Sequence, residues 1–245
     1  MDPFPYWIGY DSREKDAFDV CSFSCQRKSS VPLYIRALKH NELRHSGLFY
    51  REWRVDGQTG RMFDTLDGKP FSTEFAFTRF LVPALQRYKG WALFTDCDIL
   101  WLGDVAELIG LADDKFAVMV VKHNYAPRSQ VKMDGQAQQN YPRKNWSSVI
   151  LWNCGHEANK KLSAQYVNTA PGWALHGFSW LQDNEIGALP ESWNFLVGHS
   201  NRSVSPKVMH FTEGGPWFDH MKDVPFAGWW TSEFDHMLAS EGKFE

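Results

Sequence analysis

Apolar positions along the chain fall in short runs separated by amphipathic stretches, an alternation that predicts strands joined by helices. "YWIGYD" (6–11) reads as a buried first strand, the segment from about Glu14 to Lys28 as a helix, and "PLYIRAL" (32–38) as a second strand, a βαβ opening. "LFYREWRVDGQTGRMFD" (48–64) sets aromatic-rich arms around Asp56-Gly57 and Gly60, the pattern of a hairpin or an excursion. "STEFAFTRFLVPALQRY" (72–88) predicts a helix capped by Ser72, with Phe77, Phe80, Leu81, Ala84, Leu85 and Tyr88 at helical spacing and a kink at Pro83. After the strand in "GWALFTDCDIL" the pattern predicts a short helix from Asp104, a strand over 116–121 and a polar loop over 122–146. It then predicts a strand over 148–153, a helix near 156–166 and a late strand over 207–211. Strands alternating with helices imply an α/β fold, a mixed, mainly parallel central sheet with helices on both faces.

Composition narrows the picture. No Pro/Gly/Ser-rich linker divides the 245 residues, which implies a single domain over 1–245. A formal net charge of −3 supplies no global field to hold nucleic acid or an anionic membrane, so an anionic ligand must meet local cations in a pocket. No stretch approaches the ~18 uninterrupted apolar residues of a membrane span, and "MDPFPYWIGYDSREK" lacks the basic and apolar regions of an export signal. A soluble, cytoplasmic protein is the expectation. Cys21, Cys25, Cys97 and Cys154 sit mostly among apolar residues without zinc-ribbon spacing, which predicts reduced thiols and no zinc.

The chemistry concentrates in "ALFTDCDILWLGD" (92–104). In an extended strand Asp96 and Asp98 share one face, and two desolvated anions at that spacing repel unless a cation lies between them. Ligands of open α/β sheets gather at the carboxyl ends of strands, which is where this pair falls. A chance Asp-x-Asp triplet usually lies on a solvated loop, whereas this one closes an apolar strand after a Gly-Trp turn. The pair therefore predicts a divalent metal.

"RFLVPALQRYKGWALFTDCDILWLGDVAEL" resembles the metal-binding core of the retaining nucleotide-sugar glycosyltransferases of glycosyltransferase family 8. "WSSVILWNC" (146–154), "LQDNEIG" (181–187) and "HFTEGGPW" (210–217) resemble further motifs of that family, in its order, as does "IGYD" near the start. The resemblance implies a GT-A (Rossmann-like) fold. It makes Asp96, Asp98 and His210 the metal ligands, with Asp96 also reaching the ribose. A set of carboxylates plus imidazole favours Mn²⁺ over Mg²⁺. It puts Tyr10 and Asp11 on the base, Arg79 and Asn153 beside the donor, Asp183 and Asn184 against the sugar and acceptor, and Trp217 at the site. The implied reaction moves a sugar from a nucleotide-diphosphate donor, expected to be a UDP-sugar, to an unidentified hydroxyl of a saccharide, glycolipid, protein or modified base. Retention at the anomeric carbon is part of the same implication.

One departure stands out. "HFTEGGPW" is a residue shorter than the family pattern, with Glu213 where a Gly is usual and Gly215 where a Lys would steady the leaving diphosphate. Leaving-group stabilisation needs positive charge, and "YPRKNW" (141–146) offers Arg143 and Lys144, at the end of a loop that also carries Lys122, Arg128 and Lys132. The missing Lys keeps open an inactive nucleotide- or sugar-binding protein of the same fold, and the Asp pair alone also suits a metal-dependent hydrolase of nucleotide sugars.

Overall fold

The stripe Ala17, Val20, Cys21, Ser24 and Cys25 recurs at helical spacing and is buried along one face of a fourteen-residue helix, as its periodicity demands. The computed structural model describes residues 2–123, 143, 145–240 and 242. In chain order the strands are β1 (Phe4–Gly9), β2 (Leu33–Leu38), β3 (Trp53–Val55), β4 (Met62–Asp64), β5 (Pro70–Phe71) and β6 (Trp91–Thr95). There follow β7 (Ile99–Trp101), β8 (Val118–Val120), β9 (Val149–Asn153), β10 (Ile186–Ala188), β11 (Phe195–Leu196) and β12 (Val208–His210). The helices are α1 (Lys15–Lys28), α2 (His40–His45), α3 (Val82–Leu85), α4 (Val105–Ile109), α5 (Ala164–Thr169), α6 (Gly172–His176) and α7 (Ala227–Ser240).

The central sheet has the order β10-β8-β9-β6-β1-β2. Its pairs are parallel except where β9 lies antiparallel between β8 and β6. The carboxyl ends of β1 and β6 therefore share one edge of the sheet, and β9 contributes its beginning to that edge. A second sheet, β11-β12-β7, continues from this edge, and its antiparallel register sets His210 opposite Ile99. Rings fill the space beneath: Phe80 lies edge-on to Trp152, Phe178 and Trp180, while Tyr6 and Trp101 cross at 5.8 Å. Helix α7 closes over Val20, Leu100 and Met209, and Glu233 accepts from Arg27 Nε and Nη2 at 2.7 and 2.5 Å.

The expected excursion is a third sheet, β3-β4-β5, with Asp56 folding its turn by accepting from Gln58 N and Thr59 N. Along β4, Met62 and Asp64 face inward, and Asp64 meets Arg51 through two bonds of 3.1 and 2.5 Å. Arg51 is fully buried, donates also to Val167 O and Ala170 O, and lies 4.0 Å over the Phe77 ring. This pair staples the excursion to the chain around α5 and α6.

The predicted helix over 72–88 forms only as a 3-10 turn (Thr78–Leu81) running into the single turn of α3. Pro83 sits in the first turn of α3, where its missing N–H costs nothing, so it starts a helix instead of kinking one. The segment ends where Arg87 and Tyr88 adopt left-handed backbone. The helix expected near 156–166 divides likewise, into a 3-10 helix (Glu157–Lys161) and α5.

Replacing Arg51 by Leu strands the buried Asp64 carboxylate and should cost ~3–5 kcal/mol, whereas replacing both partners by Leu should cost clearly less. Urea unfolding of the two variants measures the difference.

Candidate functional site

The strand that delivers the two carboxylates ends at Thr95, so Asp96, Cys97 and Asp98 form a bend between β6 and β7 instead of continuing the strand. Both carboxylates still reach the same place. Asp96 N donates to Ser148 O at 2.9 Å, and Phe211 N donates to Asp98 O at 2.9 Å, which ties the bend to β9 on one side and to the residue after β12 on the other. With that pairing, Asp96, Asp98 and His210 present ligand atoms within 4.8 Å of one another. His210 Nε2 lies 3.3 Å from Asp98 Oδ1.

Asp96 and His210 are each held by a partner from elsewhere in the chain. Arg79 donates to Asp96 Oδ1 at 2.7 Å and to Ser147 O at 2.8 Å, its guanidinium lying 5.1 Å from the centres of the Phe75 and Phe94 rings. Asn194 holds the imidazole: its Oδ1 is 3.0 Å from His210 Nδ1, and its Nδ2 donates to Ser148 Oγ at 2.9 Å. With Nδ1 turned to Asn194, Nε2 is the nitrogen that faces the cluster. A carboxylate pair faced by an imidazole so oriented is a donor set that fits a divalent cation, and Asn194 is the outer contact that fixes the ring.

A cleft opens from this cluster. Its lining joins Asp96, Asp98, Arg79, Ser147, Ser148 and Thr212 to the excursion's Asp64, Asp67, Lys69 and Phe71 and to Trp173 and His176 of α6. Among the described residues the four carboxylates of the lining meet Lys69, Arg79 and, behind Asp64, Arg51, which leaves a negative excess that a divalent ion would offset. His176 Nδ1 lies 2.8 Å from Ser147 Oγ. Burial, then the charges of Arg79 and Arg51, hold its pKa well below the usual histidine value, so the ring is neutral. Burial and then His210 push His123 down to about 4.

The remaining sequence candidates fall in three places. Tyr10 and Asp11 follow β1 at the same sheet edge as Asp96. Asp11 is fully buried and accepts from Arg13 at 2.9 and 2.6 Å and from Glu74 N at 3.1 Å, while Tyr10 lies under Lys39 at 4.9 Å. Arg143 pairs with the exposed Asp183 and donates to Gly177 O at 2.6 Å; neither it nor Asn184 lines the cleft among the described residues. Lys144 lies outside the described residues, as do Arg128 and Lys132. The expectation for Asn153 needs correction. Because β9 runs antiparallel, Asn153 pairs with Trp91 at the far edge of the sheet, where it donates to Asp114 O and Phe116 O.

The closing segment explains its own departure. A Cβ at Gly215 would stand 2.2 Å from the Trp217 ring, which packs on Phe211, Phe218 and Trp230, so no side chain fits there with Trp217 in place. Glu213 is taken by His199 at 3.0 Å. Sequence reasoning missed Asn194, which lies in no motif, and Trp173, for which a Trp beside a Pro-Gly turn was the available signal.

No family model matches the chain. Protein CDI of Arabidopsis thaliana is 48% identical over 238 residues, covering 95% of this chain and 86% of that protein. Among solved structures, the apo bifunctional glycosyltransferase WbbM superposes with a TM-score of 0.65 at 16% identity over 98% of this chain. The glycosyltransferase GlyE of Streptococcus pneumoniae TIGR4 gives 0.59 at 14% over 97%, and the galactosyltransferase LgtC, in complex with donor and acceptor sugar analogues, gives 0.57 at 13% over 98%. The chain spans 51% of WbbM, 63% of GlyE and all of LgtC. At such identities the likeness is one of fold, the GT-A arrangement. Among the described residues, no helix is long and apolar enough to cross a membrane.

Because the folded pKa of His176 is depressed, the unfolded chain binds its proton first. Its contribution to stability is full above the unfolded value near 6.5 and declines as pH falls below it, by at most about 1.4 kcal/mol per pH unit. The melting temperature should fall from pH 7.5 to pH 5, and His176→Gln should flatten that slope in part, since His123 and His40 shift in the same direction.

Proposed function

The chain belongs to the family of Arabidopsis Protein CDI, and we propose that it is a metal-dependent, retaining glycosyltransferase that carries a sugar from a UDP-sugar to an acceptor hydroxyl. The observation that carries this reading is the convergence of Asp96, Asp98 and His210 at the rim of a cleft, in a fold shared with glycosyltransferases. Family 8 is the nearest description of the motif set.

When bound, a Mn²⁺ ion at these three residues would supply the positive charge that holds the donor diphosphate and offsets charge on the leaving group. The protein's own part is preorganisation. Arg79 fixes the Asp96 carboxylate, Asn194 aims the His210 imidazole, and Thr212, Ser147 and Ser148 give the cleft neutral polar walls. Arg143 is the proposed additional cation for the diphosphate, with Asp183 as its partner in the resting state and, together with Asn184, as the group facing the sugar. Lys144 shares that proposal. In front-face transfer the acceptor hydroxyl attacks beside the departing diphosphate, so no strong general base is required of the cleft.

Two experiments test the reading. UDP at about a hundred times its Kd should stabilise the protein by ~2.7 kcal/mol when Mn²⁺ is present, and equal stabilisation in chelator would remove the metal from donor binding. Mass spectrometry of a nucleotide-sugar panel, with and without acceptors, then separates transfer from hydrolysis and from binding without turnover. For the ligand set itself, Asn194→Ala should weaken Mn²⁺ binding roughly 10- to 100-fold, read by titration calorimetry; an unchanged affinity would show that the imidazole needs no such support.

A further inference from the structure

Trp173 is 57% exposed, and of the large exposed apolar side chains it is the one that lines the cleft holding Asp96 and Asp98. Leaving so much indole in water forgoes burial worth about 25 cal/mol per Å² of apolar surface, and exposed aromatic surface at a cleft marks a binding contact. The ring is presented by a helix anchored on every other side. Ala174 and Leu175 are buried, Arg51 grips Ala170 O just ahead of α6 at 2.6 Å, and His176 is tied to Ser147 at its end. Gly172 allows the approach: its Cβ position lies 3.3 Å from the Phe77 ring, so a side chain there would push α6 away.

Phe77 joins this helix to the excursion, its ring 5.0 Å from Phe71, and the excursion brings Asp67, Lys69, Ser72 and Thr73 to the same cleft. Asp67 Oδ1 folds the turn by accepting from Lys69 N at 2.9 Å, which fixes the direction of the carboxylate. A flat aromatic face together with short acceptors and hydroxyls is the chemistry that recognises a pyranose, C–H surface on the indole and hydroxyls on the carboxylate. Arg51 neutralises Asp64, and Asp67 and Lys69 line the same side with opposite charges, so this side holds no net charge to draw an ionic occupant and suits a neutral ring.

We propose that Trp173 and Asp67 form the acceptor subsite and that the acceptor is a neutral saccharide. The assignment rests on the glycosyltransferase reading and names its substrate class. In the transfer, the acceptor hydroxyl oxygen bonds to the anomeric carbon, the bond from that carbon to the β-phosphate oxygen breaks with its electron pair going to the diphosphate, and the hydroxyl proton passes to that departing oxygen.

The test uses the full chain with Mn²⁺ and the methyl glycosides of glucose, galactose, mannose and xylose as probes. Saturation-transfer NMR should show at least one glycoside bound. Trp173→Ala should weaken that binding and raise the acceptor KM about 10-fold, with UDP affinity changed less than twofold. Trp173→Phe should keep most of the binding, Asp67→Asn should weaken it, and Trp229→Ala, which removes an exposed indole on α7, should match the parent. Glycoside binding unaffected by Trp173→Ala, or absent from the parent protein while Mn²⁺ and UDP bind, overturns the subsite. A loss of UDP-sugar affinity with UDP affinity held moves the indole to the donor sugar and overturns it equally. Glycosides bound through Trp173 by a protein that takes no UDP would instead leave the subsite standing and sink the transferase reading.

Discussion

Two carboxylates one residue apart at the rim of a buried sheet repel, and much of the surrounding structure answers that repulsion. Asp96 is satisfied by Arg79, which reaches in from the segment before α3 and itself rests against the Phe75 and Phe94 rings. Asp98 is met from the opposite direction by His210, whose Nε2 stands 3.3 Å from Asp98 Oδ1 and which arrives on β12 only because that strand pairs with β7 in one register. A slip of one residue in that pairing would turn the imidazole to the other face of the strand. The site is thus a by-product of sheet pairing and core packing, and its rigidity derives from them.

The reversed strand β9 serves the same end. Had it run with its neighbours, its start would lie at the far edge of the sheet; reversed, it delivers Ser147 and Ser148 to the carboxylates and their partners. Ser148 then receives Asn194, which receives His210, so a chain of hydrogen bonds runs from β9 to the imidazole. Such a chain stabilises one arrangement over others, because a break leaves a buried polar group unpaired.

The alternation of strands and helices was legible because buried strands are short apolar runs and α1 carries a clean helical stripe. The stretch 72–88 was not, since apolar residues at helical spacing also suit consecutive tight turns, and nothing local reveals that the chain reverses at Arg87 and Tyr88. In the site, the carboxylate pair was legible from its setting, and His210 from the order of the motifs. Asn153 was misplaced because the direction of a strand is a tertiary fact. Asn194 and Trp173 were invisible for a related reason: an asparagine or a tryptophan acquires its role from what it faces, and neither sits in a spacing that chemistry dictates.

The contact between Gly215 and Trp217 has a consequence for how this closing segment can vary. A side chain at 215 and the indole in its present place exclude each other, so a basic residue there requires the Trp217 ring to lie elsewhere. Moving that ring would leave a cavity bordered by Phe211, Phe218 and Trp230 or force those rings to repack. The residue at 215 therefore sets where the indole rests and, through it, how the closing segment packs against α7.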